Sequence, residues 1–208
     1  MSLTIKDLEQ LQSQNPDFRM ELVEGNIIVM GLSDYESDEI GSRLLTFLNI
    51  WVMPRKLGRV TGSSAGFILP SIETDETGGD PEKRNLRAPD VSFVRAERLK
   101  KTQRDFVQLV PDLMVEVKSK SESPSPKGDA TRTDTLRERL KPLQEKIKLF
   151  LQLGSTVGIL IDPDKLLVTV YRSNLEPVVL KDNNKLTIPE LLPGWELAIT
   201  ELWPPEFE

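Results

Sequence analysis

At 208 residues the chain is somewhat longer than a typical domain of about 150, so it reads as a single domain (1–208) able to bury roughly 70% of its unfolded surface. It contains neither cysteine nor histidine, which excludes disulfides, thiolate zinc and iron–sulfur sites, His-based metal sites and the Ser-His-Asp triad. Any catalysis therefore falls to carboxylates, lysine, arginine, tyrosine or hydroxyls, with a hard, oxygen-liganded metal. Twenty-seven basic against 33 acidic residues give a net charge of −6, which excludes a basic footprint over the whole chain. The start, MSLTIKDLEQ, has no basic then apolar leader. No apolar run approaches the ~18 residues that span a membrane. A cytoplasmic protein without a membrane segment is expected.

In chain order, residues 3–15 read as a short helix capped by Thr4 and stopped by Asn15-Pro16. MELVEGNIIVM follows, with Glu24-Gly25-Asn26 as a turn and Ile27 to Met30 as a strand. Ile40, Leu44, Leu45, Phe47, Leu48, Trp51 and Val52 recur at helical spacing, predicting a helix over 37–56. Residues 59–69 read as one strand, with Gly62 and Gly66 marking bulges or close backbone approach. Residues 70–88 read as a polar loop, 91–94 as a strand, and 95–110 as helical turn and loop. LMVEVKS (113–119) is the clearest strand, and 121–130 reads as a Ser/Pro/Gly linker. Residues 132–153 form a long helix with a stripe through Leu143, Ile147 and Phe150, kinked at Pro142 or beginning near it, and stopped by Gly154. VGILI (157–161) is a fully apolar central strand. Asp162-Pro163-Asp164 is a turn, 166–172 and 177–180 make a hairpin, and the C-terminal segment adds a strand or turn with a short helix. This order predicts an α/β domain with a mixed central sheet flanked by helices.

Three residues carry the candidate chemistry: Asp90 in APDVSFV, and Glu116 and Lys118 in LMVEVKS. Positions i and i+2 of a strand share a face, so Glu116 and Lys118 lie together and opposite to Val115 and Val117. A carboxylate and an ammonium in an otherwise apolar strand are costly unless paired or metal-bound. Asp90 begins the preceding strand; if the two strands pair, its carboxylate can meet Glu116 at one cation. Asp112, in a second Pro-Asp, stands four positions from Glu116. At about 3.3 Å per residue the two α-carbons are about 13 Å apart, too far to share an ion.

Pro-Asp, a gap and Glu-x-Lys resemble the PD-(D/E)xK nuclease superfamily. The ordered segments ELVEGNIIVM, SDEIGSRL, VTGSSAGFILP, RAPDVSFV, DLMVEVKS and LQLG before GILIDP resemble the Uma2 family of restriction-endonuclease-like bacterial proteins, over about residues 20–200. Many Uma2-like sequences carry a histidine on the first long helix; this one has none. The resemblance implies a restriction-endonuclease-like core in which Asp90 and Glu116 hold Mg²⁺ or Mn²⁺, with the carbonyl of Val117 as a further ligand. A divalent ion there would activate water and neutralise charge on a phosphodiester. Lys118 would orient or deprotonate that water, its pKa falling near a cation and in partial burial. Glu21, matching a recurrent family glutamate, is preferred over Glu24 as an additional carboxylate. Lys146 stands near a position where similar proteins carry a lysine. A DNA substrate and a homodimer are the implied partners.

Simpler readings stand beside each of these. Glu116 and Lys118 would be a cross-strand ion pair, Asp90 a turn cap after Pro89, Glu21 and Glu24 ordinary turn acids, and Lys146 a solvated helix lysine. Ser63 and Ser64 are strand or bulge residues, since no nucleophile-elbow pattern surrounds them. From Lys83 to Arg104 there are eight basic and two acidic residues around Asp90, which suits a phosphate substrate or, equally, a solvated loop. Two further functions remain: a catalytically silent nucleic-acid-binding or regulatory module on a nuclease fold, and a phosphohydrolase of small esters.

Overall fold

In the computed structural model, residues 2–70, 85–119 and 132–207 are described, with side chains from 141 onward in the last stretch. The linker expected at 121–130 and most of the loop expected at 70–88 lie outside them.

Helix α1 (Ile5–Gln14) starts where Thr4 and Asp7 bond each other's backbone N–H groups, satisfying donors that the first turn leaves open. Strands β1 (Arg19–Val23) and β2 (Asn26–Met30) form the expected hairpin, turned by Glu24 and Gly25 at φ 48° and 74°. Helix α2 (Tyr35–Arg55) begins two residues earlier than its apolar pattern, because Asp34 accepts from the Ser37 N–H as its cap. Its buried stripe is Ile40, Leu44, Leu48 and Val52, each side chain contributing about 1.5–3 kcal/mol of burial. It ends at Lys56 in the left-handed conformation.

The strand expected over 59–69 is two strands in two sheets. β3 (Gly58–Gly62) pairs with β6 (Val91–Arg95), and β4 (Phe67–Leu69) pairs with β5 (Asn85–Arg87). The chain turns at Gly62–Ala65, where the Ala65 N–H bonds the Gly62 carbonyl. Gly66 then permits a close approach, since a Cβ there would stand 2.6 Å from the Phe106 ring. β5 was expected as loop; with one apolar residue in three it carries no alternation to read. Residues 95–110 are irregular, tied to β4 by a Phe67–Val107 bridge rather than by helix.

β7 (Leu113–Val117) is buried along its whole length. It runs antiparallel to β6 and parallel to β8 (Val157–Asp162). α3 (Arg132–Gln152) connects these two strands and stays helical through Pro142, where a kink or late start was expected. β9 (Leu167–Tyr171) and β10 (Val178–Leu180) form the expected hairpin. β11 (Lys185–Thr187) and β12 (Glu196–Ala198) pair near the C-terminus. The six-stranded sheet therefore runs β10-β9-β8-β7-β6-β3, and the four-stranded sheet β2-β1-β5-β4. α2 covers one face through Val91, Phe93, Leu113 and Val115; α3 covers the other through Val94, Met114 and Leu160. This is the mixed α/β architecture expected. Among the described residues no helix is long and apolar enough to cross a membrane.

Candidate active site

The site forms where β6 and β7 diverge. Their register pairs Val91 with Val115, and continuing it sets Asp90 across from Glu116. Asp90 Oδ2 accepts the Val117 N–H at 2.8 Å, so the aspartate is anchored on β7 itself. Burial pushes its carboxyl up, against the opposing pull of that N–H and of Lys146 and Arg19.

Glu116 shares the α3 face with Met114, and there it meets Lys146, whose Nζ stands 3.0 Å from Glu116 Oε1. The same ammonium donates to Glu21 Oε1 and to the Ala88 carbonyl, each at 3.0 Å. Glu21 arrives from β1 in the other sheet. It accepts the Ala88 N–H at 2.8 Å, and its second oxygen lies 2.9 Å from Arg87 Nε. One buried constellation thus ties both sheets to α3. Glu24, the alternative to Glu21, is exposed in the hairpin turn.

Three carboxylates face two contacting cations here, and one of them carries the excess. Burial, assisted by Asp90 and Glu21 and only partly offset by Lys146, raises Glu116 to about 8. Its Oε1 is buried without a hydrogen-bond donor of suitable geometry, despite the close ammonium. Glu21 moves the other way: burial opposes its charge, but Lys146, Arg87 and the Ala88 N–H hold it below the usual carboxylate range. For Lys146, burial is outweighed by Glu116 and Glu21, which hold it above the ordinary lysine value.

The simpler expectation for Lys146, a solvated helix lysine, is overturned, since the residue is 6% exposed. The signal was present: it stands three positions after Leu143 and four before Phe150, inside the apolar stripe. Arg87 figured in the sequence only as part of a basic stretch. Its role depends on β5, the strand that the pattern does not reveal.

Lys118 lies elsewhere. Beyond the end of β7 its ammonium is held by Asp162 at 3.1 Å and Asp164 at 2.7 Å, and its carbonyl accepts the Ser37 hydroxyl at 2.9 Å. Asp162-Pro163-Asp164 is the expected turn, but its acids also clamp this lysine. Burial opposes the charge, yet Asp164 and Asp162 hold Lys118 above its ordinary pKa, opposite to the fall that a general base would use. Asp112 lies at the other end of β7, 2.9 Å from Arg98, consistent with its exclusion. A cleft of about 120 Å³ opens beside Asp90 and Val117 on the α2 side, lined by Ser37, Asp38, Ser42 and Ser63.

The profile of the Uma2 family, described as "Putative restriction endonuclease", matches residues 5–200. The chain belongs to the Uma2 family. Its fold is also that of a solved structure from Anabaena variabilis ATCC 29413, described as a putative nuclease belonging to DUF820. That chain is 22% identical, with a TM-score of 0.69, the match covering 96% of this chain and 97% of that one. Among curated proteins none matches.

For a Uma2 chain, the donors at this site suit a hard divalent cation. Asp90 and Glu116 offer carboxylate oxygens from facing strands, with Glu116 Oε1 also 3.0 Å from the Lys146 ammonium. Among the described residues no three acidic side chains form a cage for an ion. Magnesium sites commonly take one or two carboxylates, with water and substrate phosphate completing the shell.

Proposed function

We propose that this Uma2 chain is a metal-dependent endonuclease hydrolysing DNA phosphodiester bonds. In this reading residues 1–208 are one PD-(D/E)xK nuclease-like domain, Asp90 and Glu116 hold Mg²⁺ or Mn²⁺, and the Val117 carbonyl is a further ligand. The observation that carries it is the buried Glu116 carboxyl, set across from Asp90 and close to Glu21. When bound, the ion supplies an activated water and neutralises charge developing on the phosphorus oxygens.

The chain's own residues do the rest. Asp90 is fixed by the Val117 N–H, so its free oxygen keeps a constant position relative to Glu116. Lys146 orients Glu116 from α3, and Glu21 acts through Lys146 as a positioning residue. Lys118, its ammonium clamped by Asp162 and Asp164 beyond the end of β7, is held away from the role of general base that the Glu-x-Lys pattern suggests. Water adds to phosphorus as the bond to the leaving oxygen breaks; the proton the water gives up passes to bulk water, and the leaving oxygen takes a proton from bulk water in turn.

A cytoplasmic homodimer acting on DNA is the assembly that fits this reading. Among the described residues β2 is an edge strand, it has no charged residues, and Ile28 and Val29 on it are about half exposed. Such an edge is suited to pairing with a second copy. Sedimentation should give a dimer that Val29→Lys converts to monomer.

A catalytically silent nucleic-acid-binding module is the second reading, favoured by Lys146, which already contacts both Glu21 and Glu116. Calorimetry with Mn²⁺ separates the two. The nuclease binds the ion and loses it on Asp90→Asn; the silent module shows no binding that depends on Asp90.

A further inference from the structure

A larger cleft, of about 680 Å³, opens on the α3-facing side of β3 and is distinct from the small cleft beside Asp90. Its floor is apolar and aromatic, formed by Phe67, Leu99 and Phe106; its rim carries Arg59, Arg104, Gln103 and Glu9. The volume lies within the range of about 300–1,000 Å³ usual for small-molecule sites. The Phe106 ring is seated directly on the Gly66 backbone, which leaves no room for a Cβ. Arg59 is fixed by the carbonyls of Leu99 and Lys100, each at 3.1 Å.

Neighbouring residues of one turn line both clefts. Thr61 and Ser64 line the large cleft, while Gly62 and Ser63 line the small one. Thr61 pairs with Ser92, two residues beyond Asp90, so the large cleft begins roughly 7 Å along the strand from the site. That is about one nucleotide of an extended strand. The segment from Leu99 to Val107 supplies one wall, with Arg104 and Asp105 adjacent on it, so together with Arg59 and Glu9 the lining holds two cations and two acids; Lys100 and Lys101 stand exposed on the same segment. An aromatic floor takes the flat face of a base, cations take the flanking phosphates, and Glu9 and Gln103 suit the edge groups of a base.

We propose that this cleft binds a nucleobase of an unpaired or extruded nucleotide next to the phosphate at Asp90. The substrate class is then single-stranded nucleic acid, or duplex from which a base has left the stack. This rests on the nuclease reading for its neighbour but not for its own test.

The test is binding in EDTA, with no cleavage required. The probes are deoxythymidine monophosphate followed by NMR, and a short fluorescein-labelled oligothymidylate followed by anisotropy. Ser64→Trp fills the cleft from an exposed position, and Gln103→Trp fills it from the facing wall. The expected result is that the mononucleotide shifts resonances of Phe106 and Gly66. Folded variants should bind the oligonucleotide roughly tenfold or more weakly, the loss of one stacked base. Unchanged oligonucleotide affinity in a folded variant, or no mononucleotide shifts at the cleft, overturns the inference. Failure of the nuclease reading looks different: no variant or wild type cuts any substrate, while the cleft still binds the nucleotide.

Discussion

Glu116 is the residue on which the site's electrostatics turn. With its carboxyl raised from about 4.5 to about 8 by burial, the folded state prefers the protonated form. Stability from this group is therefore greatest below pH 4.5 and declines as pH rises through 8. In EDTA, Glu116→Gln should match wild type near pH 5 and exceed it by a few kcal/mol above pH 8, read by urea denaturation across the pH range. Equal pH dependence of the two proteins would contradict the assignment. Lys146→Ala should have the opposite sense. It removes the ammonium shared by Glu21 and Glu116 and should cost about 3–5 kcal/mol at pH 8. The loss should shrink near pH 5, where Glu116 is neutral. Glu116 was legible in the sequence because a carboxylate amid apolar strand residues needs a partner; Asp90 followed from its place at the start of the neighbouring strand, and Glu21 only from the family resemblance. The clamp on Lys118 was not legible, since Asp162 and Asp164 reach it only through the parallel pairing of β7 with β8, across α3.

At the scale of elements, α2 and α3 hold the sheet that presents the site. Leu48 is fully buried on α2 against the face of β6 and β7, so Leu48→Ala should cost about 2–5 kcal/mol by chemical denaturation. Long periodic elements could be read directly: α2, α3, β7 and β8 lie close to their expected positions. Two short stretches could not. In the run 59–69, Gly62 and Gly66 mark irregular backbone, but nothing in the pattern shows that the chain turns after Gly62 and changes sheet. β5 has three residues, and its strand character comes from pairing with β1 and β4 rather than from its own composition. Pro142 illustrates the reverse case: α3 does not begin near the proline but at Arg132, and carries it within a helix that packs Ile147 and Phe150 into the core.

For the whole molecule, a chain of net charge −6 has to gather phosphate through local cations. The basic stretch that the sequence shows is divided by the fold. Arg87 is spent on Glu21, and Arg95 and Arg98 on Asp112, whereas Lys100, Lys101 and Arg104 remain exposed beside the large cleft. DNA binding should accordingly weaken steeply with salt, and Lys100→Ala with Lys101→Ala should lower the slope of log affinity against log salt by about one to two, read by anisotropy. The measurement that bears most directly on the central claim is cleavage of supercoiled and single-stranded DNA by purified protein in Mg²⁺ and in Mn²⁺, with Asp90→Asn and Glu116→Gln prepared alongside. A metal-dependent nuclease predicts cutting that needs the ion and disappears in both folded variants. Cutting that persists in either variant, or no cutting of any DNA by wild type, would contradict a nuclease centred on Asp90 and Glu116.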